Sequence, residues 1–200
     1  MGHRALVAYR RPDRRYDLRY SHWGGDTLSF ADGISAATPL AAGAIEPALV
    51  AEAITCDRVL TEHLDPRVYE ALYLVDPAAD YAVDSYRVCW LAWDGGTRPV
   101  GSQATADPIG DGSRGAIVAD DTVDDHTLRV WFRATKTTLA DVIELGGLSR
   151  RAAQATLEAR VCEEYDGTPY TYGDSTAKPE DEPTPTRWSA GDDRRGERHH

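Results

Sequence analysis

A proline-marked turn between two short apolar runs does most to limit what this chain can fold into. Residues 4–10 and 15–23 are rich in Val, Leu and Tyr, side chains that suit a pleated, half-buried surface. Between them lies Arg11-Pro12-Asp13-Arg14. Pro12 holds φ at about −65°, the value wanted at the second position of a type I turn. That excludes a two-residue type I′ loop. A four-residue loop then sets Arg10 opposite Arg15. In that register Ala5 faces Tyr20, Val7 faces Leu18 and Tyr9 faces Tyr16. A slip of one residue would place Val7 against Arg19 and Tyr9 against Asp17, scrambling both faces. The chain is expected to open with a β-hairpin that buries Ala5, Val7, Tyr9, Tyr16, Leu18 and Tyr20.

The same register sets His3 opposite His22, with Cβ atoms roughly 4.5–5.5 Å apart. Two imidazoles so placed can share a metal or a proton. His3 and His22 are therefore the candidate catalytic or metal-binding pair. The bland alternative is two strand-end histidines bonded to backbone or solvent.

Charge is unevenly spread along the chain. The net charge is −11, yet residues 1–24 hold six arginines against Asp13 and Asp17. Lys136 and Lys178 are the only lysines, so 20 of the 22 basic residues are Arg. Excess acid with little Lys suits a protein kept soluble in molar salt, where a Debye length of about 3 Å makes self-repulsion cheap. The basic ribbon is expected to meet the protein's own acidic face first. Phosphate or an acidic partner is the alternative, with Arg11, Arg14 and Arg15 as candidate contacts.

Further along, residues 46–54 and 57–64 read as helices, with Leu49, Val50 and Ala53 on one face and Val59, Leu60 and His63 on another. Asp65-Pro66 ends the second, because the residue before proline disfavours the α region. Residues 68–75 read as a strand. Residues 85–93 read as a central strand, apolar on both faces. Residues 115–119 suit a short edge strand. In residues 127–134, Leu128, Val130 and Phe132 alternate with Arg129, Trp131 and Arg133, a strand pattern. Residues 138–145 and 149–165 read as two helices, with Gly146-Gly147 between them and Ser149 as an N-cap. The aspartates of residues 97–125 lack the spacing of a calcium loop. From residue 166 the chain is rich in Pro, acid and Gly, the composition of a disordered tail.

Cys56, Cys89 and Cys162 have no CxxC partner, which excludes a zinc framework and a disulfide scaffold. Cys89 is expected to be buried. No apolar run reaches a membrane-spanning length, and ALVAY is too short for the core of a signal peptide. A cytoplasmic location is expected, with no membrane partner. P-loop, G-x-S-x-G, H-E-x-x-H and dinucleotide fingerprints are all absent.

The segment Leu145–Leu157 resembles the helix-hairpin-helix element of DNA-binding and DNA-repair proteins, through its leucine, Gly147, Leu148 and a helix entered by basic residues. The resemblance implies a phosphate held at the second helix's N-terminus, with Arg150 and Arg151 adding charge. Ser149 stands where that element has its second glycine, and Gly146 where proline is usual. The plainer reading is a helical hairpin with Leu145, Leu148 and Leu157 as core.

MGHRALVAY followed by YSHWGG resembles the opening of a family of haloarchaeal proteins of unknown function. Its members begin MGHRALVAYERPDG and continue into Tyr-Ser-His-Trp-Gly. The resemblance covers residues 1–24 and implies a tight turn after Pro-Asp. Arg14 stands where those proteins have the turn glycine. No activity comes with it.

These readings combine into an α+β domain over residues 1–165. An antiparallel sheet of about five strands is packed by helices from 46–64 and 138–165, and residues 166–200 form the tail. The expected function class is a small binding or interaction protein of unknown ligand, with no recognisable catalytic motif and no cofactor expected; its partner is unknown, a protein being one candidate and nucleic acid a lower-ranked one. A nucleic-acid-associated protein ranks second, and a metal-dependent or acid–base enzyme at His3 and His22 third.

Overall fold

The computed structural model describes residues 2–93, 114–119, 124–165 and 170–172. It is an α+β protein built on one mixed seven-stranded sheet, in the order β3-β2-β1-β4-β5-β6-β7. The strands are β1 (Ala5–Arg10), β2 (Tyr16–Ser21), β3 (Leu49–Ile54), β4 (Ala71–Asp76), β5 (Ala82–Trp90), β6 (Gly115–Ala119) and β7 (Tyr170–Tyr172). All neighbours are antiparallel except β1 and β4, which run parallel. The sheet is thus larger than the expected five strands and not purely antiparallel. Strand β6 lies between β5 and β7 rather than at an edge. Strand β7 falls past residue 165, in the segment expected to be tail. The rest of that segment lies outside the described residues.

The hairpin forms, but one residue away from the expected register. Ala5 pairs with Ser21, Val7 with Arg19, Tyr9 with Asp17 and Arg10 with Tyr16. The turn decides it. Arg14 N–H donates to the Arg11 carbonyl at 3.0 Å, and Arg11 N–H donates to the Arg15 carbonyl at 2.7 Å. Arg14 has φ 62°. This is a three-residue loop, a type I turn followed by a left-handed residue. The side-chain pattern could not discriminate, because β1 is flanked by β2 and β4 and covered on both faces. Ala5, Leu6, Val7 and Ala8 are all fully buried. Ala5 and Val7 pack on one face, Leu6, Ala8 and Leu18 on the other.

Alternation carries these two faces across the sheet. Ala71, Tyr73 and Val75 of β4 join Ala5 and Val7, and residues 28–45 cover them with Leu28, Ile34 and Ile45. Further along the same face, Cys89, Ala116 and Val118 are covered by α2 (Asp125–Glu144) and α3 (Arg150–Glu164). The opposite face carries Leu6, Leu72, Val88, Ile117 and Tyr172, closed by Val59 and Leu64. Val59 opens the π turn Val59–His63 that follows the one-turn α1 (Cys56–Arg58), and Leu64 is the residue just after that turn.

Two expected elements change type. Residues 127–134 are helical, as part of α2. Asp124 caps that helix by accepting from the Thr127 amide at 2.9 Å. Leu128 and Leu139 are buried, with Trp131, Phe132 and Ile143 packed beside them, a helical spacing in which Val130 is left 55% exposed. Residues 46–54 are not helical, since β3 pairs with β2 and its backbone bonds are made there. Between α2 and α3, Gly146 takes φ +74°. The Gly147 amide donates to the Val142 carbonyl at 2.9 Å and the Gly146 amide to the Ile143 carbonyl at 3.0 Å, a Schellman stop. Ser149 then caps α3 through the Ala152 amide, as expected. Leu157 is buried and Leu148 packs on that core, but Leu145 is 86% exposed. The Schellman turn carries it outward.

Candidate functional site

Arg87 stands where the two coverings of one sheet face meet. It lies on β5 opposite Ala71, on the face shared with Tyr73 and Cys89, and is only 3% exposed. A guanidinium this deep must be paired and fully hydrogen-bonded. Its Nε and Nη2 donate to the two Asp125 carboxylate oxygens at 2.6 Å each. Its Nη1 donates to the Gly25 carbonyl at 2.7 Å and the Glu70 carbonyl at 3.0 Å. One side chain therefore ties the loop after β2, the entry to β4 and the first turn of α2. Gly25 is needed for this approach. Its amide donates to the His3 carbonyl at 2.7 Å, and a Cβ there would sit 2.6 Å from the Arg4 carbonyl oxygen.

Beside this brace a cleft of about 370 Å³ opens between β5 and α2. Val88, Trp90, Leu128 and Phe132 supply its apolar wall, and His3, Glu70, Arg129, Arg133 and Lys136 its polar groups. His3 Nδ1 lies 3.1 Å from the Glu70 carboxylate, and its Nε2 lies 3.8 Å from Asp26. Arg129 reaches Glu70 at 3.7 Å and donates to the Asp26 carbonyl at 2.5 Å. Lys136 donates to the Trp90 carbonyl at 2.5 Å, with its ammonium 3.9 Å from a Trp90 ring centroid, a cation–π contact. An adjoining recess of about 710 Å³ shares Arg129, Arg133 and Thr137 with the cleft and adds Asp26 and His126.

The expected histidine pair is not assembled as drawn. The shifted register no longer sets His3 opposite His22. His3 turns to Glu70, whereas His22 Nδ1 takes the Tyr20 hydroxyl at 2.8 Å and its ring meets Trp23 edge-on at 4.7 Å. No cluster of three His, Cys, Asp or Glu side chains fit to hold a metal occurs among the described residues. Of the basic candidates, Arg11 is held by Asp17 at 3.1 Å and Glu52 at 3.4 Å. Arg10 likewise meets Asp76 at 2.9 Å, so part of the ribbon's charge is spent on the protein's own acids. Arg14 and Arg15 are exposed at the hairpin tip, and Arg150 and Arg151 are exposed at the start of α3. Tip and helix start lie over different halves of the sheet. Cys89 is buried as expected, and burial pushes its thiol up to about 12. No described helix is long and apolar enough to cross a membrane.

The sequence reading found His3 but missed Glu70, Arg87, Asp125, Arg129, Arg133 and Lys136. Two signals were present. Arg87 is the one charge within the otherwise uncharged residues 85–93, and Lys136 is one of only two lysines in an arginine-rich chain.

No curated protein and no solved structure matches the chain. A family model does match, over residues 1–48 and 41–169. That span takes in the hairpin, the Arg87 brace and both long helices, and the chain belongs to this family of unknown function, DUF6735.

Proposed function

We propose that this is a small binding protein whose ligand enters the cleft between β5 and α2. The supporting observation is the brace beneath it. Three separate elements are locked on one buried guanidinium, beside a cleft with one apolar wall and several convergent polar groups. Ligand sites are commonly clefts of roughly 300–1,000 Å³ with that division of walls. A rigid frame also lowers the ordering cost of binding. Saturation-transfer NMR with a panel of neutral and charged small organic molecules tests the reading. Thr137→Trp, an exposed position on the cleft wall, fills the space. Signals that vanish in this variant are expected. Signals identical in the variant, or none at all, sink the reading.

The acidic, lysine-poor composition supports a high-salt, haloarchaeal cytosol as the working environment, so binding is measured in molar KCl. The contact of His3 with Glu70 favours a second reading, an acid–base enzyme centred on His3. A carboxylate on one ring nitrogen orients the imidazole and sets its tautomer. His3→Gln would then leave ligand binding in place and stop conversion of the bound molecule. Conversion that continues unchanged removes this reading.

A further inference from the structure

Resting on that reading of the cleft, we infer that its ligand is a planar organic anion, with its carboxylate or phosphate on Arg133 and its ring against Trp90 and Phe132. The first argument is charge. The chain carries −11, yet Arg87, Arg129, Arg133 and Lys136 line this cleft, and with Asp125 on Arg87 and Glu70 on Arg129 the charge of Arg133 is left over. A cleft whose sign opposes that of the whole protein concentrates counter-charged ligand.

The second argument is what each cation already does. Arg87 is committed to Asp125 and two carbonyls. Arg129 is committed to Glu70 and Asp26. Lys136 is seated on Trp90. Arg133 is different. It is exposed, lines both the cleft and the adjoining recess, and makes no hydrogen bond or ion pair among the described residues. A guanidinium presents a rigid fork that matches a carboxylate or a phosphate with two parallel hydrogen bonds.

The third argument is the wall. Trp90 and Phe132 offer flat apolar surface beside that fork, and aromatic faces gain most against another ring. Salt sharpens the requirement. At a Debye length of about 3 Å in molar salt, distant charges contribute little. The anion must touch the fork, and the ring must supply the rest.

Calorimetric titration of the full chain in molar KCl tests this, using 2-naphthoate, adenosine 5′-monophosphate, inorganic phosphate, and the neutral 2-naphthylmethanol and adenosine. At least one ring-bearing anion is expected to bind more tightly than its neutral counterpart and than inorganic phosphate. The two anions separate a carboxylate source from a phosphate ester. Charge-assisted hydrogen bonds are worth enough that Arg133→Gln is expected to weaken that anion roughly tenfold to a hundredfold, with Arg133→Lys restoring it only in part. Neutral probes binding as tightly as anions, or an affinity unchanged in Arg133→Gln, overturn the ligand class but leave the cleft as a binding site. Inorganic phosphate binding as well as the ring-bearing anions overturns the role of the wall. No binding by any probe overturns both this inference and the reading beneath it.

Discussion

Replacing Arg87 by Met is expected to be among the most damaging single changes in the protein. The guanidinium makes four hydrogen bonds, two to Asp125 at 2.6 Å and one each to the Gly25 and Glu70 carbonyls. The Asp125 side chain is itself 16% exposed. Removing the Arg87 guanidinium strands a largely buried carboxylate and withdraws a donor from two carbonyls. Breaking a buried ion pair from one side costs about 3–5 kcal/mol. The carbonyls add less than a full unsatisfied group each, since Glu70 still accepts from the Val88 amide at 3.0 Å. Asp125→Asn keeps one acceptor for Arg87 and is expected to cost less, about 1.5–3 kcal/mol, the worth of hydrogen bonds to a charged group. The informative variant is the double replacement, Arg87→Met with Asp125→Leu. Replacing both members of a buried pair by apolar groups is often neutral or stabilising, so the double variant should recover much of the loss. Urea unfolding at fixed salt, extrapolated linearly, supplies all four stabilities. A loss under about 1 kcal/mol for Arg87→Met, or a double variant no more stable than that single one, would refute the view that this pair braces the sheet to α2.

Three further outcomes follow from particular residues. Arg14 sits at φ 62°, a conformation that costs an L-residue about 1–2 kcal/mol, while glycine's extra unfolded-state entropy returns about 0.5–1 kcal/mol of that. Arg14→Gly is therefore expected to stabilise the protein by about 0.5–1 kcal/mol in urea unfolding, and a destabilisation would argue against the three-residue loop. Burial works against ionisation of Asp17, but the Ala53 amide and the Arg11 guanidinium outweigh it and hold its carboxyl below 3.8. A depressed folded value means this stabilisation is complete above about pH 4 and fades as pH falls through the folded pKa. Asp17→Asn should flatten that acid limb in stability measured against pH, and an unchanged limb would locate the effect elsewhere. Leu157→Ala is expected to cost about 2–5 kcal/mol and Leu145→Ala less than about 0.5 kcal/mol, a contrast that equal losses in thermal unfolding would refute.

How much of the fold was legible can be judged from the elements that went wrong. The hairpin was read from Pro12 and the flanking apolar residues, and its existence needed nothing more. Its register needed to know what covers the second face of β1, and β4 and residues 28–45 lie far away in sequence. With both faces buried, alternation loses its power to choose. Residues 127–134 failed for a different reason. Over eight residues, Leu128, Val130 and Phe132 satisfy a period of two. Only when the window runs on through Leu139 and Ile143 does the helical period emerge, with Val130 as the odd residue out. A window shorter than two or three turns cannot separate the two. Strand β3 was misread because its exposed residues carry little pattern, and its identity comes from pairing with β2.

The candidate site was legible only as isolated oddities, because its chemistry consists of pairings across long stretches of chain. A lone arginine in an otherwise uncharged stretch demands a carboxylate partner, but the chain has 33 acidic residues, and nothing local selects Asp125, 38 residues away. Once the fold supplies that choice, the cations sort themselves. Arg10, Arg11, Arg87 and Arg129 each have a carboxylate partner. Arg133 is exposed, but Arg14, Arg15, Arg150 and Arg151 are exposed as well, so exposure alone does not set an arginine apart on this protein. What sets Arg133 apart is its place, on the lining of both the cleft and the adjoining recess. Arg133 is the cleft cation on which that argument turns. Its exposure and the absence of any hydrogen bond from it to the Arg87 brace make Arg133→Gln a change in recognition rather than in folding. Unchanged unfolding with weakened anion binding is the pair of results that would separate a ligand contact from a member of the structural network.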